Sequence, residues 1–226
     1  MENTQPAITM DLRALSDDPL MYYATNESLD ATTLGLNPTA TDKILYVSGG
    51  GDQSFAALEF GSRGVAADFS RSHLELATRR AEYLANGDFE NFLNPVVANH
   101  NSTPEAIQQR NEYFLTGNRL EKMRESVHGL EFIEGNVTDV KGEFDKIYLS
   151  NVLSYGGKRY EELAKISTSL SPGGLIYLAH SEGLTSEHLK ESGLKVHIGG
   201  TKVSRRFEEK NDTVGSLWKP TVLQKL

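Results

Sequence analysis

The chain has 226 residues, of which 38% are hydrophobic and 24% charged, so it can bury a core of its own and is predicted to form one domain over residues 1–226. It contains no cysteine, which excludes disulfide frameworks, thiolate metal sites and cysteine nucleophiles. A formal net charge of -8 argues against a nucleic-acid partner, and no apolar run reaches the roughly 20 residues of a membrane span. The N-terminus lacks the pattern of a signal peptide, so we expect a cytoplasmic protein without a membrane partner.

Residues 1–40 are predicted to form a helical N-terminal cap, because Asp17-Asp18-Pro19 is typical of a helix start. Short apolar runs then alternate with helical periodicity, which favours parallel strands joined by right-handed crossovers. In this part the sequence predicts strands over 43–48 and 64–68, and helices over 52–60 and 70–84.

Residues 86–130 interrupt the alternation and are predicted to be a helical insertion that closes like a lid, with helices over 105–114 and 119–127. The alternation then resumes with strands over 130–135, 144–151 and 175–180, and with a helix over 160–170 that ends at Ser-Pro-Gly-Gly. Three further strands, over 194–198, 202–207 and 216–223, are expected to form an antiparallel edge. The fold class is therefore predicted to be α/β, with a doubly wound, Rossmann-like sheet.

Ligands of such sheets bind outside the carboxyl ends of the strands. There the first predicted strand ends in Gly49-Gly50-Gly51, and the second ends in Asp68. Glycines let the backbone approach a ligand closely, the following helix start presents free amides, and an acid at a strand end can accept both hydroxyls of a ribose. The turn lacks the lysine of a phosphate-binding loop and the third glycine of the dinucleotide fingerprint.

These residues, together with Ser171-Pro172-Gly173-Gly174, resemble the class I S-adenosylmethionine-dependent methyltransferase fold over residues from about 40 to 185. The resemblance implies that Asp68 holds the ribose, that the glycine turn faces the amino-acid end of S-adenosylmethionine, and that Asp139 lies near the adenine. The implied cofactor-binding set is Ser48, Gly49, Gly50, Gly51, Asp52, Asp68, Phe69, Asn136 and Asp139. One departure is that the usual acid at the head of the turn is replaced by Tyr46 and Val47.

A narrower resemblance is to proteins related to betaine-lipid synthase, which move the 3-amino-3-carboxypropyl group of S-adenosylmethionine. It rests on Tyr23 followed by Asn26-Glu27, on the Ser-Gly-Gly turn at 48–50, on Asp88–Leu93 and on Leu149-Ser150-Asn151. It implies attack at the γ-carbon, which releases 5′-methylthioadenosine, whereas attack at methyl releases S-adenosylhomocysteine. In-line placement of a nucleophile decides between these carbons.

Four polar residues are expected to grip the bent amino-acid tail and carry the catalysis: Asn26, Glu27, Asn151 and Tyr155. S-adenosylmethionine is then a substrate, and the acceptor is either a small soluble molecule or the substrate's own amine, which would close azetidine-2-carboxylate. Two alternatives remain open, namely a small-molecule methyltransferase and a non-catalytic S-adenosylmethionine-binding protein. A homodimer also remains open.

The six histidines show no metal-ligand spacing, so no metal is expected. His180, at the end of a predicted strand, is expected to be packed or hydrogen-bonded. Lys202, Arg205 and Arg206 are expected to be solvated charges on an edge strand. No serine lies in a nucleophile-elbow sequence, which argues against a hydrolase.

Overall fold

The computed structural model describes residues 23–95, 102–154, 160–210 and 218–226. Seven strands in these ranges form one sheet: β1 Lys43–Val47, β2 Arg63–Asp68, β3 Leu130–Glu134, β4 Phe144–Tyr148, β5 Leu170–Leu178, β6 Leu194–Val196 and β7 Thr221–Lys225. Their order is β3-β2-β1-β4-β5-β7-β6. Strands β1 to β5 are parallel, while β7 is antiparallel to both β5 and β6. The strand order reverses between β1 and β4, which confirms the doubly wound, Rossmann-like fold and places a ligand crevice at that point.

Nine α-helices lie in the described ranges: α1 Leu29–Leu36, α2 Asp52–Leu58, α3 Arg71–Ala85, α4 Phe89–Leu93, α5 Pro104–Leu115, α6 Arg119–Ser126, α7 Glu161–Ser167, α8 Ser186–Glu191 and α9 Ile198–Lys210. They cover the sheet from both sides and enclose two apolar clusters. One cluster contains Phe55, Phe92 and Tyr177, and the other contains Leu163 and Ile176. None of these helices is long and apolar enough to cross a membrane.

The predicted helix start at Asp17 lies outside the described residues. Within the predicted cap the structure has α1, whose N-cap Ser28 accepts a hydrogen bond from the backbone N–H of Ala31 at 3.0 Å. Asn37 ends the helix in the left-handed conformation. Helix α1 packs against α9, because Ser204 Oγ donates to the carbonyl oxygen of Ala31 at 2.9 Å.

The helical insertion over 86–130 contributes to the core. Phe92, Phe114 and Met123 of α4, α5 and α6 are fully buried in the same apolar cluster as Phe55 of α2. The helices predicted over 105–114 and 119–127 are confirmed to within a residue. Closure of the insertion over a ligand stays a prediction.

The prediction of a strand over 202–207 is wrong, because these residues belong to helix α9. The buried side of α9 consists of small or polar residues, Thr201, Ser204 and Glu208 among them, so its helical period is invisible in the apolar pattern. Lys202, Arg205 and Arg206 are therefore exposed on a helix and not on an edge strand. Arg205 donates to the carbonyl oxygen of Pro220 at 3.0 Å.

Several further boundaries differ from the prediction, and helices α4 and α8 were not predicted. The helix over 160–170 ends at Ser167, and β5 begins at Leu170, because the register between β4 and β5 shifts and accommodates residues 171–174 opposite Asp145. Strand β6 ends at Val196 because α9 begins at Ile198. The last predicted strand is β7, which begins at Thr221, and the antiparallel edge is confirmed.

Candidate functional site

The glycine turn connects β1 to α2 at the switch point of the sheet. Gly49 has a φ of +47°, a region in which a side chain would be strained, and its N–H donates to Asp68 Oδ2 at 2.8 Å. Gly50 must lack a side chain for a different reason. A Cβ at Gly50 would lie 2.6 Å from the carbonyl oxygen of Tyr23, so the chain before α1 passes directly against the turn. Ser48 is buried, and its carbonyl oxygen accepts the N–H of Gly51 at 2.7 Å.

Asp68 lies at the carboxyl end of β2, beside the turn. Besides the bond from Gly49, its Oδ1 accepts the backbone N–H of Ser70 at 2.9 Å, and the Nδ1 of His73 lies 3.7 Å away. The carboxylate is thereby held in one orientation, and each of its oxygens has the capacity to accept a further hydrogen bond. Phe69 follows directly, and 82% of its surface is exposed, so an aromatic face stands free next to the acid.

Residues 23–28, which we call the N-terminal strap, run along this edge of the sheet. Ser102 Oγ accepts the backbone N–H of Tyr23 at 3.1 Å, from the insertion side. Asp52 Oδ2 accepts the backbone N–H of Thr25 at 2.7 Å, from the first turn of α2. The side chain of Asp52 is buried and fastens the strap to the helix that follows the glycine turn.

Two buried guanidinium groups lie behind the strap and the turn. Arg80 pairs with Asp52 at 2.8 Å and donates to the carbonyl oxygen of Gly50 at 2.5 Å. Arg110, from the insertion, donates to the carbonyl oxygen of Tyr23 at 3.4 Å. Burial lowers the pKa of Arg110 to about 10, an effect that the negative charge of Asp52 opposes. Two cations and one carboxylate thus leave a net positive charge behind the turn.

Glu27, in the strap, reaches the carboxyl end of β4. Its Oε2 accepts the Tyr148 hydroxyl at 2.8 Å, and its Oε1 accepts the Ser150 hydroxyl. Ser150 has a φ of +51°, an uncommon conformation for a residue other than glycine and one that is found at functional sites. Burial raises the pKa of Glu27 to about 7, although both hydroxyl donors act in the opposite direction.

A second buried carboxyl group, that of Glu208 on α9, lies behind Glu27. Its Oε1 accepts the backbone N–H of Ser28 at 2.8 Å. Burial, and next the charge of Glu27, raise the pKa of Glu208 to about 8. Among the salt bridges of the described residues, neither carboxyl group has a cationic partner.

The structure brings three of the four predicted catalytic residues to one edge. Asn26 is half-buried in the strap next to Glu27, and half-buried Asn151 follows Ser150, whose hydroxyl lies 3.4 Å from Asn151 Oδ1. Tyr155 lies outside the described residues.

Asp139, predicted to lie near the adenine, and Asn136, predicted to bind the cofactor, differ in their surroundings. Asn136 follows Gly135, whose N–H donates to the carbonyl oxygen of Asp68 at 2.8 Å, so Asn136 lies beside the end of β2. Asp139, three residues further, is ion-paired with Lys165 of α7. The pairing raises the pKa of Lys165. Of the two, Asn136 is the residue linked most directly to Asp68.

The sequence did not indicate the supporting residues Arg80, Arg110, Tyr148 and Glu208, and Ser150 was noted only as part of a motif. Arg80 falls on the apolar face of α3, between Ala77 and Leu84, and that is the one signal that could have found it. The others become neighbours of the strap only through contacts over 80 to 180 residues of chain.

His180 is partly buried just after β5, and its Nε2 lies 3.4 Å from Oε2 of the exposed Glu182. Within the described ranges no group of three or more histidine, aspartate or glutamate side chains could hold a metal ion. A separate cavity of about 550 Å³ opens at the opposite edge of the sheet, between Gly35, Lys146 and Gly200. It includes none of the predicted site residues.

No family model matches the chain, and no curated protein does. Among solved structures, the [4+2]-cyclase SpnF has a TM-score of 0.51 at 11% identity, over 87% of this chain and 80% of its own. The S-adenosylmethionine-dependent methyltransferase from Thiobacillus denitrificans, in complex with S-adenosyl-L-homocysteine, has a TM-score of 0.51 at 14% identity. The match covers 91% of this chain and 94% of the methyltransferase. Magnesium protoporphyrin IX methyltransferase from Synechocystis PCC 6803, with bound S-adenosylmethionine, has a TM-score of 0.51 at 12% identity. The match covers 87% of this chain and 74% of that enzyme. The chain therefore has the fold of class I S-adenosylmethionine-dependent methyltransferases.

Proposed function

We propose that the protein binds S-adenosylmethionine at the carboxyl edge of the sheet and uses it as the substrate of an alkyl transfer. The ribose hydroxyls would bind Asp68, and the adenine would lie against Phe69 and near Asn136. Two structural neighbours carry S-adenosylmethionine or S-adenosylhomocysteine on the same fold, which supports this ligand. The amino-acid tail would then lie at the glycine turn, under the strap.

The strap is the observation that carries the proposal of γ-carbon attack. It lies directly against Gly50, so it limits the room for an extended tail along the turn. The usual acid at the head of the turn is absent, since Tyr46 is buried in the core and Val47 is its neighbour. A tail bent toward Asn26 and Asn151 would present its γ-carbon for in-line displacement of the sulfur. The sulfonium is already a strong leaving group, and 5′-methylthioadenosine would be released.

The aminocarboxypropyl group would go to a small soluble acceptor or be captured by its own amine, giving azetidine-2-carboxylate. We propose no nucleic-acid or membrane partner and no metal, a cytoplasmic location, and either a monomer or a homodimer.

Small-molecule methyl transfer is the second candidate, because two of the three neighbours are methyltransferases. One of the neighbours is a [4+2]-cyclase, so the same fold also supports reactions other than methyl transfer. A non-catalytic binding protein is the third candidate.

One chromatographic assay separates the candidates. The protein is incubated with S-adenosylmethionine, first alone and then with small amine, thiol and hydroxyl acceptors, and the nucleoside product is identified. We expect enzyme-dependent 5′-methylthioadenosine. S-adenosylhomocysteine would indicate the methyltransferase, and binding without either product would indicate the non-catalytic protein.

A further inference from the structure

The carboxyl group of Glu27 is buried at the edge of the candidate site, and only 6% of the residue is exposed. Buried carboxylates in proteins are normally compensated by a cation. Here the groups in contact with it are the hydroxyls of Tyr148 and Ser150, and no salt bridge of the described residues includes Glu27. Among the described residues, two neutral hydroxyl donors and no cation therefore face this carboxyl group.

The side chains around Glu27 differ in how deeply they are buried. Tyr148 and Tyr177 are buried in the sheet, and Glu208 closes the site from α9. Ser150, in contrast, is half-buried at the end of β4, and its left-handed backbone turns the hydroxyl toward Glu27. The Ser150 hydroxyl donates its proton to Glu27, so its oxygen, which has two lone pairs, can also accept a hydrogen bond from a ligand.

We propose that Ser150 and Glu27 form a proton relay for an amine nucleophile, which identifies the group alkylated in the proposed function as an amine. This inference rests on that function. The ammonium form of the amine donates to Ser150 Oγ, the hydroxyl proton of Ser150 passes to Glu27, and the ammonium proton replaces it. The nitrogen lone pair then forms a bond to the carbon of the sulfonium, and the carbon–sulfur electron pair goes to sulfur. One carboxylate, one ammonium and one sulfonium become a carboxylic acid, an alkylated ammonium and a neutral thioether.

The same relay suits an amine better than a hydroxyl acceptor. A carboxylate attracts the ammonium form and needs to remove only one moderately acidic proton from it, whereas an alcohol offers no cation. The groups that face Glu27 are Tyr148 from β4, Ser150 from the loop after it, Tyr177 from β5 and Glu208 from α9. Burial raises the pKa of Glu27 to about 7 and that of Glu208 to about 8, so Glu27 ionises first and works near neutral pH.

The kinetic test measures nucleoside release from S-adenosylmethionine between pH 5.5 and 9, alone and with ethanolamine or its hydroxyl analogue ethylene glycol. We expect the wild-type rate to rise through about pH 7. Glu27→Gln should lower the rate about 10²- to 10⁴-fold and flatten that rise.

Ser150→Ala should lower the rate at every pH. Tyr148→Phe should shift the rise to higher pH without abolishing it, because it removes a hydrogen bond that stabilises the carboxylate. Turnover of the glycol, or an unchanged pH profile in Glu27→Gln, would overturn the relay.

A binding test needs no turnover. S-adenosylhomocysteine, its analogue without the α-amino group, and ethanolamine added to the S-adenosylhomocysteine complex are titrated into wild type and Glu27→Gln. We expect Glu27→Gln to weaken binding of one of the two amine groups at least tenfold and to leave the deaminated analogue unaffected. Equal loss for all three probes, or no loss, contradicts the relay. If no nucleoside ligand binds the wild type, the proposed function fails instead.

Discussion

The carbonyl oxygen of Tyr23 lies against Gly50, so closely that a methyl group on Gly50 would be 2.6 Å from it. The two carbonyl groups of this contact are held from behind by different arginines, that of Tyr23 by Arg110 and that of Gly50 by Arg80. The insertion, the strap and the glycine turn are therefore linked by direct contacts. A ligand bound at the turn would change the packing of all three segments.

Gly50→Ala should displace the strap, because the new methyl group meets backbone and not a flexible side chain. We expect a loss of about 1–3 kcal/mol in the free energy of unfolding, together with weakened S-adenosylmethionine binding by calorimetry. Gly199→Ala is the matched control, since its nearest neighbour would be the His197 ring at 3.7 Å. Equal behaviour of the two variants would show that the Tyr23 contact is unimportant.

Asp68→Asn should weaken binding of S-adenosylmethionine about 10- to 150-fold, which corresponds to about 1.5–3 kcal/mol for charge-assisted hydrogen bonds to a ribose. The asparagine keeps one acceptor oxygen for the N–H of Gly49 but loses the acceptor of the Ser70 N–H, so thermal unfolding is measured to separate lost stability from lost binding. Glu75→Gln, on the exposed face of α3 and ion-paired with Arg71, is the control. Unchanged affinity in Asp68→Asn would remove the ribose assignment.

Arg80→Met should destabilise the protein by about 3–5 kcal/mol, because it leaves the buried carboxylate of Asp52 without its cation. Removing that charge as well, in Arg80→Met with Asp52→Asn, should recover part of the loss. Urea unfolding of both single variants and the double variant measures the coupling. Additive effects would mean that the pair is not an energetic unit.

Stability should fall as pH rises from about 5 to 8. The folded-state pKa values of Glu27 and Glu208, about 7 and about 8, lie above the ordinary value of 4.5, so the folded protein binds more protons in this window than the unfolded chain. A tenfold change in proton affinity corresponds to about 1.4 kcal/mol. Urea unfolding at pH 5, 6, 7 and 8 tests this. Glu208→Gln should make the dependence shallower, and a wild-type stability that rises over the window would contradict the burial of both charges.

Apart from the short helix α4, the order of strands and helices from β1 to β5 could be predicted because each element carries its own local pattern. Strand β1 is a continuous apolar run followed by glycines, and β2 ends in Asp68, so the switch point and its acid were visible in the sequence. Helix α9 could not be predicted in this way. Its buried positions include Thr201, Ser204 and Glu208, and these polar residues hide the helical period.

The supporting contacts of the site could not be predicted for a different reason. Glu27 meets Tyr148 across 121 residues, and Ser28 meets Glu208 across 180, so no local pattern links these pairs. Sequence resemblance indicated Glu27. That its carboxyl group is buried without a cationic partner among the described residues results from the packing of the strap against β4 and α9, which the sequence does not show.

The insertion over 86–130 should become better protected when S-adenosylmethionine binds, if it excludes water from the sulfonium. Because Phe92 and Phe114 are already in the core, the added protection should be concentrated near Ser102 and the strap, and should be small in α6. Hydrogen exchange with and without ligand measures it. No ligand-dependent protection around Ser102 would rule out a lid.

The fate of a label in the methyl group of S-adenosylmethionine tests the central claim most directly. The protein is incubated with substrate that carries ¹³C in the methyl group, and the products are separated and analysed by mass spectrometry. If the γ-carbon is attacked, all of the label stays with the nucleoside as labelled 5′-methylthioadenosine, and the four-carbon fragment is unlabelled. Label in an acceptor, with unlabelled S-adenosylhomocysteine as the nucleoside product, would contradict the account and assign the protein to methyl transfer.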